Sequence, residues 1–147
     1  MLISFEIQGQ PFGKQRPRFT KRGTTYTPVE TSVRANVISI EAEKHFDAPI
    51  LGPIRVDVVA VFKPAKSWSA KKTREALGQP HTQKPDKDNV EKLVLDALNG
   101  IAYPDDSQVW DGGTRKVWGA VAKTVITVSQ EPNFAPVSIE LRGSINV

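Results

Sequence analysis

Apolar and polar positions divide the chain into short β-rich runs and two longer helical stretches. Leu2-Ile3-Ser4-Phe5-Glu6-Ile7 is β-rich and partly alternating, which predicts a strand. Gly9, Pro11 and Gly13 break it. Val33, Val37 and Ile40 then recur at helical spacing and predict a helix to about Phe46. Its start is marked by Thr27 as cap, Pro28 at the first helical position and Glu30 completing a capping box. Residues 47–53, with Pro49, Gly52 and Pro53, form a turn region. Residues 54–62 read as the clearest strand; Val56, Val58 and Ala60 alternate with Asp57, Val59 and Val61, and apolar residues on both faces predict a central position.

Residues 63–84 form a basic connection, with a short helix expected at 70–77. Residues 89–99 read as the second main helix, stopped by Gly100. Residues 107–117 and 121–130 look like a β-hairpin turning near Gly119, and Pro132 and Pro136 break the pattern. A short strand at 137–141 is expected in the tail after about residue 131. The order of elements predicts an α+β fold, one two-layer domain over 1–147 with a mixed sheet packed on two main helices.

At 147 residues the chain suits one compact domain. It has no cysteine, which excludes disulfides and thiolate metal sites. Its longest apolar run, Val58 to Phe62, falls far short of the roughly 20 residues that a bilayer requires. Met1-Leu2-Ile3 starts without a basic lead-in, so no secretory signal is read and a cytoplasmic location is expected.

The net charge of +4 says little about partners; its distribution says more. The basic loop at 13–26 carries five cations in a row without an acid: Lys14, Arg16, Arg18, Lys21 and Arg22. Lys63, Lys66, Lys71, Lys72 and Arg74 form a second cluster, whereas acids concentrate at 86–111. Cations of this kind neutralise DNA phosphates, and Lys84 lies close to the acids. For Lys71, Lys72 and Arg74 a solvated face is an equal alternative. Phe19, among the first group, is either packed under its loop or a wedge for an opened base step. His81 has a structural reading first. Trp110 and Trp118 read as packing anchors, and Trp68 is the tryptophan to test for DNA contact.

The second helix carries the chemistry. Val90, Leu93, Val94, Ala97 and Leu98 share a core stripe, while Asp88, Lys92 and Asp96 stack on the opposite face. Asp86 lies just before it, and Asp105-Asp106 just after. A loop folding back to the helix N-terminus would make acids converge, and clustered carboxylates suit Mg²⁺. The residues alone leave other readings open: Asp88 with Glu91 as a capping box, Asp96 with Lys92 as a surface pair, Asp105-Asp106 as turn formers.

The run Lys84-Pro85-Asp86-Lys87-Asp88-Asn89, continued by Lys92, Asp96-Ala97-Leu98 and Gly100, then by Asp105-Asp106-Ser107-Gln108-Val109, resembles the signature of the RusA-like Holliday junction resolvases, the crossover junction endodeoxyribonucleases. Gly13 to Thr20 and Tyr26-Thr27-Pro28 resemble the family's N-terminal half. The resemblance implies a Mg²⁺-dependent nuclease (Mn²⁺ the other candidate ion) in DNA recombination and repair, as in prophages. It further implies metal binding by Asp86, Asp88 and Asp106, with Lys92 assisting catalysis and Asp96 and Asp105 in less defined roles. Its substrate would be a four-way DNA junction cut in pairs by a homodimer, and Leu95, isolated on the polar side of the helix, is a candidate for the dimer seam. The alternatives are a nuclease for flaps or other branched DNA without paired cutting, and a DNA-binding accessory protein that does not cut.

Overall fold

The computed structural model describes residues 1–131. Its elements are β1 (Leu2–Gln8), β2 (Arg18–Phe19), β3 (Thr25–Tyr26), α1 (Val29–Glu43), β4 (Ile54–Phe62), α2 (Ala70–Ala76), α3 (Lys87–Leu98), a 3-10 turn (Asp106–Gln108), β5 (Val109–Asp111), β6 (Thr114–Trp118) and β7 (Lys123–Ser129). The expected strand at 137–141 lies outside the described residues. β1, β7 and β4 lie side by side and antiparallel, and β5 and β6 both pair with β4 in parallel. β2 and β3 form a separate small ladder. The fold is the expected α+β domain with a mixed sheet.

β4 is central, as its apolar pattern predicts. Ile54, Val56, Val58, Ala60 and Phe62 are buried, whereas Val59 and Val61 on the other face stay partly exposed. The helices therefore cover one face. Phe5, Ile126 and Val128 join that face, and Ile38, Ala42, Val90, Leu93, Val94, Ala97 and Leu98 close the core from α1 and α3. Burying a side chain such as Leu93 stabilises by about 1.5–3 kcal/mol.

Four local expectations are corrected. The hairpin is not one: β6 and β7 flank β4 on opposite sides. Residues 119–122 step across the end of β4, and the Gly119 N–H donates to the Phe62 carbonyl at 2.9 Å. A Cβ on Gly119 would collide with Val61 Cγ1, so the crossing runs close over the strand. The Thr27 capping box does not form; Pro28 takes the cap position of α1, and no side chain caps it. The stripe Val33, Val37 and Ile40 faces outward, while Thr31, Ile38 and Ala42 face the core. α1 has apolar residues on two faces, and periodicity alone cannot choose between them. Lastly, Leu95 packs against the core from the side, so it offers no evidence for a seam.

Candidate nuclease site

The site is built around α3. The helix starts two residues earlier than its apolar period suggests, with Asp86 at the cap position and no side chain capping it. Asp88 thus stands inside the first turn, beside the positive helix end. The Asp88–Glu91 capping box is absent; Glu91 instead accepts from Thr114 Oγ1 at 3.3 Å, tying α3 to β6.

Cations surround Asp86. Lys84 Nζ donates to its carboxylate at 2.7 Å. This bond, with the fields of Lys84, Lys116 and Arg16, holds the Asp86 carboxyl below the usual range. Lys116, on β6, was missed by the sequence reading. Its Nζ donates to the Gln83 carbonyl at 2.6 Å. The available signal was its position two residues from Thr114, on the same strand face, which the expected hairpin obscured.

The basic loop joins this end of α3. The Lys14 N–H donates to the Asn89 carbonyl at 2.9 Å. Gly13 is buried where a Cβ would lie 2.7 Å from Pro85 Cβ, so only glycine permits the approach. Gln15 and Thr31 exchange hydrogen bonds at 3.2 Å, fastening the loop to α1 as well. The β2–β3 arm then projects outward. Phe19 is 75% exposed, so it is not packed under its loop. Arg16, Arg18, Lys21 and Arg22 are exposed around it. Lys14 differs: its Nζ lies 2.6 Å from Asp96 Oδ2, a partly buried pair.

That pair decides the role of Asp96, which bonds Lys14 and not Lys92. Lys92 is exposed and has no ion-pair partner among the described residues.

The acids after α3 sit at its other end. The Asp106 N–H donates to Asn99 Oδ1 at 2.8 Å, and Asn99 caps the C-terminus of α3. Asp105 caps the 3-10 turn, exchanging bonds with Gln108 and accepting from Ser107 Oγ at 3.0 Å. Gln108 Nε2 in turn donates to the Ile50 and Gly52 carbonyls at 2.9 and 3.0 Å. Asp105 is therefore a turn former, and the Ser107 bond lowers its pKa. Asp106 is partly desolvated and crowded by Asp105 and Asp96, and its pKa is raised.

A helix of 12 residues is roughly 18 Å long. The structure thus brings Asp96, Asp105 and Asp106 into one electrostatic neighbourhood, and leaves Asp86 and Asp88 at the opposite end. Among the described residues no group of three or more His, Cys, Asp or Glu side chains is gathered so as to hold a metal. In donor type and access, Asp86 and Asp88 fit a hard cation, since Mg²⁺ is commonly held by one or two carboxylates plus substrate phosphate and water. Asp106 does not stand beside them.

The basic connection packs as a small aromatic layer. His81, 6% exposed, stacks on Phe62 at 3.7 Å between ring centroids and lies 4.4 Å from Trp118. Burial lowers its pKa, as befits a structural residue. Trp68 packs on Trp118 at 4.9 Å and carries Lys72 Nζ over its ring at 4.1 Å. Lys71 faces Glu75 at 4.0 Å. Trp110 is half exposed.

Comparison with known proteins matches this arrangement to a family. The model of Endodeoxyribonuclease RusA fits residues 8–129. The chain belongs to the RusA endodeoxyribonuclease family. The match covers the basic loop, α3, the 3-10 turn and every sheet strand except β1, of which it takes in only Gln8, and it ends where β7 ends. The chain is also 33% identical over 138 residues to the uncharacterized protein YqaN of Bacillus subtilis (strain 168), covering 87% of this chain and 96% of that protein. No helix among the described residues is long and apolar enough to cross a membrane.

Proposed function

We propose that this RusA-family chain is a divalent-cation-dependent endodeoxyribonuclease that resolves four-way DNA junctions by paired phosphodiester hydrolysis. The observation that carries the reading is the N-terminal end of α3. There, two accessible carboxylates, the cations Lys84, Lys116 and Arg16, and the root of an exposed basic arm share one place. Pure phosphate binding has no use for acids at its centre; a nuclease needs both signs.

In this proposal Asp86 and Asp88 hold Mg²⁺ or Mn²⁺, with substrate phosphate and water completing the shell, and Asp106, whose backbone is held at the other end of α3, has no place on that ion. When bound, the cation supplies Lewis-acid polarisation of the scissile phosphate. The chain's own groups do the rest. Lys84, Arg16 and Lys116 attract and orient the phosphate beside the carboxylates. Lys92, one turn along from Asp88 and without an ion-pair partner among the described residues, places a fixed positive charge near the developing negative one. Arg18, Lys21 and Arg22 hold flanking phosphates, and the exposed Phe19 on β2 of the arm enters an opened base step. Lys71 and Lys72 are secondary contacts. Homodimerisation belongs to the proposal because a two-fold junction is matched by a two-fold protein.

The test is cleavage of a mobile synthetic four-way junction with Mg²⁺, mapping products on all strands. Symmetric paired nicks are expected from the wild-type protein, and a loss of at least about 100-fold from Asp88→Asn, or about 2.7 kcal/mol of barrier. Near-normal cutting by that variant would sink the assignment, and cuts on flaps but not junctions would favour the branched-DNA alternative.

A further inference from the structure

Past the C-terminal end of β4 the basic connection shapes an open cleft that the nuclease reading leaves without a role. Pro64, Trp68, Leu77 and Ala120 give it apolar walls, and the exposed Lys63 and Lys66 line it as well. Its volume of about 280 Å³ lies at the lower edge of the roughly 300–1,000 Å³ usual for ligand clefts, so it suits a single ring system. Residues 63–77 carry five cations, Lys63, Lys66, Lys71, Lys72 and Arg74, against one acid, Glu75. Apolar walls inside a positive surround call for a ligand that is flat and apolar in one part and anionic in another. A nucleotide is such a ligand.

Trp68 is the platform. It is half-buried, and its ring packs on Trp118 at 4.9 Å between centroids. Trp118 packs in turn on His81 and Phe62, so the indole is held by an ordered layer. Lys72 Nζ lies over the Trp68 ring at 4.1 Å and acts as a movable cover. The Lys72 backbone is fixed, because its N–H donates to Ser69 Oγ at 3.1 Å, but the residue is exposed. Stacking of a base on an indole outweighs an exposed cation–π contact. A base therefore displaces the ammonium, which stays close enough to meet the phosphate of the same nucleotide.

The cleft is within reach of the carboxylate site. Trp118 follows Lys116 by two residues on the same face of β6, about 7 Å along the strand. With the step to Trp68 the separation is about 12 Å, or three to four nucleotides at roughly 3.4 Å each.

We propose that this cleft takes one unpaired nucleobase of the DNA, three to four nucleotides from the cut phosphate, stacked on Trp68 with its phosphates held by Lys63, Lys66 and Lys72. The identity of the ligand as DNA rests on the nuclease reading. A paired base keeps its faces inside the duplex stack and does not enter, so the cleft selects strands that are open beside the branch. Stacking tolerates every base, so no sequence preference follows.

Binding of a short fluorescein-labelled oligothymidylate to the full-length protein, followed by anisotropy in EDTA, tests the cleft without cutting. Trp68→Ala is expected to raise Kd at least about fivefold, and Trp68→Phe to recover most of the loss. The salt slope stays the same in Trp68→Ala, since stacking releases no counterions, and shrinks by about 0.7 in Lys66→Gln. An abasic strand of the same length binds wild type and Trp68→Ala alike. Should Trp68→Ala fail to fold, Leu77→Glu, at a wall position 38% exposed, is read in the same way. Unchanged oligothymidylate affinity in the folded variant overturns the proposal. So does an equal loss on the abasic strand, or an equal weakening of polyglutamate binding, which would make the cleft a surface for acidic proteins. Junction cutting that depends on Asp88 is untouched by these results, so the two readings fail separately.

Discussion

The two ends of α3 carry the same residue type in opposite settings. At the N-terminal end Asp86 is ringed by Lys84, Lys116 and Arg16 and its pKa is lowered. At the C-terminal end Asp106 is partly desolvated and, after that, crowded by Asp105 and Asp96, and its pKa is raised. The first end surrounds Asp86 with cations that favour its ionised form. The second stores repulsion that a cation or a proton relieves. A list of aspartates treats these ends as alike; their neighbours show that they are not.

The widest disturbance comes from the core face that holds both ends in place. Leu93→Ala is expected to cost about 2–5 kcal/mol in urea unfolding, because Leu93 is 2% exposed between α1 and the sheet. Both ends would suffer together, and a loss confined to one end would show that they are held separately.

Lys84→Gln separates the ends. Lys84 bonds Asp86 but is otherwise exposed, so the fold is expected to stand. Junction affinity falls, and the slope of log affinity against log salt shrinks by about 1 unit if one phosphate contact is lost. An unchanged slope would remove Lys84 from the DNA surface.

Asp106→Asn probes the crowded end. A carboxyl with a raised folded pKa destabilises the folded state at pH values above that pKa, and ceases to do so below its unfolded value. The variant is therefore expected to be more stable than wild type at pH 7 in chelator-containing buffer. The advantage should fade as the pH falls through the acid range. Thermal unfolding across pH reads it, and lower stability at pH 7 would contradict the crowding.

The smallest effect is expected from Lys14→Met. It removes a partly exposed ion pair with Asp96, worth at most about 1 kcal/mol. Loss of DNA affinity without loss of stability would return Lys14 to the phosphate-binding group.

Sequence alone determined much of this protein. The central place of β4, the core stripe of α3, the outward Asp88–Lys92 face, the end of α3 at Gly100 and the family all follow from local pattern and motif. These are properties of single elements, fixed by period, by turn residues and by which face has no apolar alternative. Tertiary structure decided the rest. α1 offers two apolar faces, and packing chose Ile38 and Ala42 over Val37 and Ile40. β6 and β7 read as neighbours because a short link joins them, yet β4 lies between them. Lys14 reads as a DNA cation until Asp96 is placed beside it. Lys116 reads as an ordinary strand residue until Gln83 and Asp86 come near. In each case the deciding partner lies far away in sequence, and no local pattern carries the energy of a contact between distant segments.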